Sequence, residues 1–281
     1  MSKSSIPYGD ETLPVVTGCS GVDDNGKVLA CRGRCWAMNL AHRFNPIGTP
    51  AGDFTPTFHP EVLERIFHWR RPRRVLVSFT GDLFDRMITD AQIASVFGVM
   101  AAAPQHTFIL LTKQAARMER WFQSERAQHV YDWRMEHPVA CRREWLSSDP
   151  APWPLTNMIL GVSVSNQPDV DVRVNHLMRC PAATRWVSWE PAISAVDFTR
   201  IRNAGEVFAP FNALRRWTDG KTSTGIDWVV CAAETGERAR PLDLDAVRRV
   251  RDDCAAAGVK FMLKNQTGFV ALDGRTHEEM P

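Results

Sequence analysis

Cys19, Cys31 and Cys35 bring three of the chain's seven cysteines into one stretch, "TGCSGVDDNGKVLACRGRCWAMN", with the spacing C-x11-C-x3-C. Thiolates are soft ligands for zinc and for iron–sulfur clusters, and three chemistries suit the set. A structural zinc needs a fourth ligand to close its tetrahedron; His42 or His59 is available, although paired C-x2-C knuckles are lacking. Unligated thiols flanked by Arg32 and Arg34 would be oxidation-prone, because nearby cations favour the thiolate. A 4Fe-4S cluster on three cysteines leaves one iron open, whereas a four-thiolate electron carrier leaves none. The amino and carboxylate groups of S-adenosylmethionine suit that open corner, and an electron from the cluster would cleave the sulfonium to release a 5'-deoxyadenosyl radical.

Such a centre needs a frame. From Arg73 onward, short β-branched runs ending in polar residues alternate with amphipathic helical segments, the pattern of a parallel α/β protein. Strands are expected at Val15 to Gly18, Val75 to Thr80, Thr107 to Thr112, Ile159 to Val164, Arg185 to Trp189, Trp228 to Ala232 and Lys260 to Lys264. The clearest helix is "TDAQIASVFGVMAAAP", where Thr89 and Gln92 form a capping box and Ile93, Val96, Phe97 and Met100 share a face. "HPEVLERIFHW", "PDVDVRVNHLM" and "DLDAVRRVRDDCAAAG" supply further helices, the last stopped by Gly258 and placing Cys254 in the core. Two long connections, about 114–157 and 191–227, belong to the same single domain of residues 1–281.

In βα barrels the chemistry sits just beyond the carboxyl ends of the strands. Those positions here hold Cys19; Thr80, Gly81 and Asp82; Thr112 and Lys113; Ser163, Ser165 and Asn166; Ser188 and Glu190; Glu234; and Lys264 with Asn265 and Gln266. Each alone reads as a helix cap or a turn. Seven polar strand ends at one rim read as a site.

Composition narrows the class. A chain of 281 residues, 44% hydrophobic and 23% charged, can bury a large core, and its net charge of +2 does not announce a nucleic-acid binder. Positive charge is nevertheless gathered in "ERIFHWRRPRR", Glu64 to Arg74, and again around Arg215, Arg216 and Trp217, where solvated surface and phosphate contact are both open. The start "MSKSSIPYGDETLP" lacks the apolar stretch of a signal peptide, and no run approaches a membrane span, so a cytoplasmic protein with no membrane partner is expected. In that reducing compartment a cysteine cluster favours metal binding or catalysis over disulfides, while Cys141, Cys180 and Cys231, without ligand spacing, are expected to pack as small apolar groups.

At this point the chain resembles a bacteriophage-encoded three-cysteine family related to radical S-adenosylmethionine enzymes. The segments that carry the resemblance are "VTGCS", "CRGRCWAMN", "HPEVLERIFHWRRPRRVLVSFTGDLFD", "APQHTFILLTK", "ILGVSVSNQ", "RWVSWEP", "DWVVCAAETGERARPL", "AAAGVKFMLKNQTG" and "LDGRTHEEMP", which together span nearly the whole length. The resemblance implies a partial or full (βα) barrel of parallel strands, a 4Fe-4S cluster on Cys19, Cys31 and Cys35, and S-adenosylmethionine across the strand ends. Thr80, Gly81 and Asp82 would receive the methionine amino group; Ser163, Ser165 and Asn166 would face the ribose or carboxylate; Trp36 would pack beside the cluster or the adenine. The spacing departs from the C-x3-C-x2-C motif of radical enzymes, and Trp36 stands where related phage sequences carry tyrosine.

The resemblance further implies a radical enzyme, an isomerase or base-modifying activity on a hypermodified, thymidine-derived base of phage DNA, working in the host cytoplasm with an external one-electron reductant. Glu190, Glu234, Lys113 and Lys264 are then the acid, base or anchoring groups, and aromatic residues of the long loops would stack on an extruded base. Two other classes fit the residues: a zinc-stabilised nucleic-acid-binding module, and a radical enzyme acting on a protein or small molecule.

Overall fold

The computed structural model describes the chain except residues 1–3, 24–25, 27, 30, 32–33, 46–47, 125–152, 203–208, 216–224, 237–238 and 266–267. Its centre is a seven-stranded sheet, every neighbouring pair parallel, curled into a half-barrel. The strands, in spatial order, are β1 (Glu11–Leu13), β4 (Arg74–Val77), β5 (Thr107–Thr112), β6 (Met158–Val164), β7 (Thr184–Trp189), β8 (Trp228–Ala232) and β9 (Lys260–Lys264). Runs such as "MILGVSV" in β6 are buried at every position, as expected of strands covered on both faces.

The first strand differs from expectation. Val15 to Gly18 does not enter the main sheet; its Val16–Thr17 core is β2, which pairs antiparallel with β3 (Thr57–Phe58). The edge strand is Glu11–Leu13, which shows no apolar run and gains its place by pairing Glu11 with Val75 and Leu13 with Val77. The expected strand at Val75 to Thr80 stops at Val77, because Ser78 takes a left-handed φ of 57° and turns the chain out of the sheet.

The outer face is covered by a 3-10 helix (Pro60–His68), α2 (Asp90–Ala102), α3 (Ala115–Gln123), α4 and α5 (Leu244–Ala257). Helix α4 runs through Gln167–Asp169, a π-helical Val170–Val174 and Asn175–Met178. The capping box of α2 forms as expected, Thr89 Oγ1 accepting from Gln92 N at 3.2 Å and Gln92 Oε1 from Thr89 N at 2.9 Å. Gly258 ends α5 at φ 68°, and Cys180, Cys231 and Cys254 are buried in the outer core. Cys141, Trp133 and Trp145 lie outside the described residues, as do Arg216, Trp217 and Gln266. The first long connection opens with α3, whose Glu119 ties it to α4 through His176 Nδ1 at 2.5 Å and Arg179 Nε at 2.6 Å.

The inner face holds a second core of Tyr8, Leu76, Ile109, Ile159, Trp186, Trp228, Val230 and Met262. The register explains it: Gly161, Trp186 and Trp228 lie side by side on β6, β7 and β8, with Ser163, Ser188, Val230 and Met262 one layer above. Trp186 and Trp228 stack at 5.0 Å, and the ring of Tyr8, from the segment before β1, meets both edge-on. Gly161 is required here, since a Cβ would lie 2.2 Å from Trp186 Nε1, which donates to Leu110 O at 2.8 Å. Two remaining short strands, β10 (Ala271–Leu272) and β11 (Arg275–Thr276), form a hairpin near the end of the chain.

Candidate functional site

Parallel strands bring all their carboxyl ends to one rim, and the cysteine loop lies there. Cys19 reaches the rim by a close backbone crossing. Gly18 bridges Gly81, and a Cβ on Gly81 would come within 2.6 Å of Val16 O, so only glycine permits the two segments to meet. Three further ties fasten the loop. Ser20 N donates to Asp85 Oδ2 at 2.7 Å, beyond β4; Gln114 Nε2 donates to Val22 O at 2.6 Å, beyond β5; Arg34 Nη1 donates to Glu234 Oε1 at 3.2 Å, beyond β8. The segment that carries the three thiols is thus strapped across the mouth of the half-barrel from one side to the other.

All three thiols are free and partly exposed. Burial, and the nearby carboxylates of Asp82 and Asp85, push the Cys19 thiol up to about 12, and Cys31 is close enough to add to the shift. Cys35 stands at the N-terminus of α1 (Trp36–Phe44) without spending its side chain on a cap. Among the described residues no three His, Cys, Asp or Glu side chains converge as they would about one metal ion. The two histidines available to complete a zinc site are engaged or turned away: His59 shares a hydrogen bond with Thr17 Oγ1 at 2.8 Å, and His42 is exposed on the last turn of α1. Cys19 Sγ accepts from Gly21 N at 3.3 Å, and three cysteine thiols on one loop are donors of the type iron–sulfur clusters use.

Below the loop, the mouth presents Ser163, Ser188, Glu190 and Lys264. Lys264 Nζ is buried and pairs with Glu190 Oε1 at 2.8 Å, while the same ammonium lies 5.9 Å from the ring centre of Tyr8. A buried ammonium is retained only with a partner, so this pair is a fixed dipole aimed into the lumen. Ser163 Oγ donates to Glu190 O at 3.3 Å, which fixes one hydroxyl against the strand end. Lys113 is half-buried beside the mouth, its N–H donating to Asp82 Oδ2 at 2.9 Å.

Several expected site residues hold the frame together. Asp82 accepts from Thr112 Oγ1 at 2.6 Å, from Lys113 N and from Phe84 N; burial raises its carboxyl to about 6 despite those bonds. Asn166 Oδ1 accepts from Asp169 N and so caps α4, and Ser165 N is held by Asp169 Oδ2 at 3.0 Å. Thr80 contributes its carbonyl to Gly18 N. Glu234 receives Arg240 through Nε at 2.8 Å and Nη2 at 2.7 Å; these bonds and that of Arg34 hold its carboxyl down at about 2, so it stays ionised and acts as an anchor. Trp36 is 52% exposed on the outer side of α1.

Sequence reasoning passed over Asp85 and Gln114 and read Arg34 only as a cation beside the thiols, although all three strap the loop. Their partners lie 65, 92 and 200 positions away, beyond any local pattern. The arginine run at Glu64 to Arg74 proves to sit at the amino end of β4, the end of the barrel opposite the cysteines. Arg74 is structural there, donating through Nε to Tyr8 O at 3.1 Å and through Nη1 to Pro281 O at 3.3 Å. A depression of about 680 Å³ lined by Met178, Phe211, Asn212 and Arg215 lies on the outer helical layer, where α4 returns toward β7, and gathers no comparable chemistry.

Among the described residues no helix is long and apolar enough to cross a membrane. No curated protein and no solved structure matches the chain. The family model DUF5131, described as a protein of unknown function, matches residues 3–281, and the chain belongs to that family.

Proposed function

We propose that the chain is a radical S-adenosylmethionine enzyme in which Cys19, Cys31 and Cys35 hold a 4Fe-4S cluster at the mouth of the half-barrel. The observation that carries this reading is the strapping of a three-thiol loop across the polar carboxyl ends of an all-parallel sheet, by Asp85, Gln114 and Glu234. When bound, the cluster and S-adenosylmethionine supply a hydrogen-abstracting radical, for which one electron comes from an external reductant.

The chain's own residues then bind, orient and exclude water. Cys19 must give up its proton on ligation. The Lys264–Glu190 pair offers a donor and an acceptor at fixed positions to a polar substrate, while Ser163 and Ser188 line the adjacent wall. Trp186, Trp228 and Tyr8, each no more than 2% exposed, keep water from reaching the chamber from below. We take the substrate to be a thymidine-derived, hypermodified base of phage DNA, rearranged by an isomerase-type step. Lys113 and Lys264 at the rim are the cations available to it.

Anaerobic reconstitution tests the reading. About four irons per chain, a brown protein and release of 5'-deoxyadenosine under a strong reductant are the expected result. A colourless protein that leaves S-adenosylmethionine intact would overturn it.

A further inference from the structure

The strand register sets Lys264 and Glu190 on either side of a small residue. Ala232 of β8 is opposite Lys264 of β9, and Glu190 leaves β7 directly after Trp189, the partner of Cys231. Ala232 has only a methyl, so the long side chains flanking it can close the gap, and Lys264 Nζ donates to Glu190 Oε1 at 2.8 Å. The layer beneath holds Ser163 and Ser188, again small and polar.

This pair leaves hydrogen-bonding capacity unused. An ammonium carries three N–H donors, yet among the described residues Glu190 Oε1 is the one acceptor of Lys264, whose side chain is only 4% exposed. Glu190 Oε2 has no partner among the described residues, and neither has the Ser188 hydroxyl. Buried polar groups are ordinarily satisfied, so idle donors on a buried ammonium, beside an idle carboxylate oxygen, mark a place where a ligand completes the set. Glu190 is 35% exposed and gives the way in, while the ring of Tyr8 stands 5.9 Å from Nζ as an apolar wall.

Charge selects the class of ligand. Lys264 and Glu190 cancel, and what they present together is one donor and one acceptor. A phosphate or a carboxylate would be set against Glu190 and an amine against Lys264, and juxtaposed like charges are costly. A neutral ring with a carbonyl and an N–H side by side answers both groups. We infer that Lys264 and Glu190 grip the imide edge of a thymine ring, Nζ donating to a ring carbonyl and Oε2 accepting the N3 proton. The two residues then decide which ring is held, reading a base by its pairing edge, and the C5 substituent takes no part in either bond and stays free to react. This deepens the proposed function and rests on its thymidine-derived substrate, not on the cluster.

The test uses the full-length protein, both as purified and after reconstitution with S-adenosylmethionine, and reads the binding of thymidine and N3-methylthymidine by calorimetry. Methylation removes the N3 proton and should weaken binding by about tenfold or more. Lys264→Met should cost about as much but keep the preference for thymidine, because Glu190 still reads N3. Glu190→Gln should narrow that preference, a neutral acceptor being weaker than a charged one. Melting temperatures check that both variants fold, and the comparison of the two nucleosides needs no variant. Short oligothymidylate distinguishes a base within a strand from a free nucleoside: tighter binding of either supports the site and assigns its source. Equal affinity for thymidine and N3-methylthymidine, or no thymidine binding in either state, as a site filled by water alone would give, overturns the inference. Iron content and cleavage of S-adenosylmethionine are read on the same preparations. A chain that discriminates against N3-methylthymidine but takes up no iron keeps this site and loses the radical chemistry; one that cleaves S-adenosylmethionine but ignores thymidine does the reverse.

Discussion

Arg34 and Glu234 meet at 3.2 Å although 200 residues separate them, and their contact crosses the mouth of the half-barrel. Glu234 can serve as the fixed end because Arg240 grips both of its oxygens, so the contact anchors the Arg34 side of the cysteine loop. Arg34 is 54% exposed, and an ion pair of that exposure contributes about 1 kcal/mol or less. Glu234→Gln should therefore raise the rate of thiol labelling at Cys31 and Cys35 in the metal-free protein by up to about fivefold, with the melting temperature unchanged. Labelling followed by mass spectrometry, thiol by thiol, reads the outcome.

Cys35→Ala separates ligation from folding. The Cys35 side chain makes no capping bond to α1, so its loss should leave the far-ultraviolet spectrum and urea midpoint near those of the parent. Iron retained after reconstitution should fall to background. Retention of parental iron would remove Cys35 from the ligand set.

Gly161→Ala probes the inner core. The new methyl would lie only 2.2 Å from Trp186 Nε1 and displace an indole that bonds Leu110 O. Overpacking of this kind costs about 1–3 kcal/mol. We expect a loss of several degrees in melting temperature and a changed near-ultraviolet tryptophan signal.

The acid limb of stability should report Glu119. Burial works to raise its pKa, but hydrogen bonds and charge from Arg179 and His176 outweigh it and hold the carboxyl below its ordinary 4.5. A depressed folded-state pKa adds stability that is complete above the unfolded value and is lost as the pH falls below it. Urea midpoints between pH 6 and 3, taken on parent and Glu119→Gln, should converge toward the acid end, the variant starting lower at pH 6 and declining less.

Arginines in "WRRPRR" should divide by position. Arg70 and Arg71 are exposed, and their replacement by alanine should leave stability unaltered within about 0.5 kcal/mol. Arg74→Ala removes donors from Tyr8 O and Pro281 O and should cost about 1–3 kcal/mol by urea unfolding.

The longer strands were legible because a strand covered on both sides must be apolar throughout, and "TFILLT" and "MILGVSV" can be little else. Glu11–Leu13 was not, since its membership rests on backbone pairing with β4 and on no property of three residues. Helix α3 was hidden inside an expected loop because "QAARMERWFQ" opens without a side-chain cap. At the site, the cysteine spacing and the polar strand ends were visible, whereas the employment of Asp82 by Thr112, Lys113 and Phe84 was not: a carboxylate at a strand end looks the same whether it waits for a ligand or is consumed by its neighbours.

The aromatic floor beneath the mouth has a consequence for anything that reacts there. With Tyr8, Trp186 and Trp228 packed solidly beneath the strand ends, the mouth has no passage through the sheet's inner side. Whatever meets its polar residues must come and go by the same door.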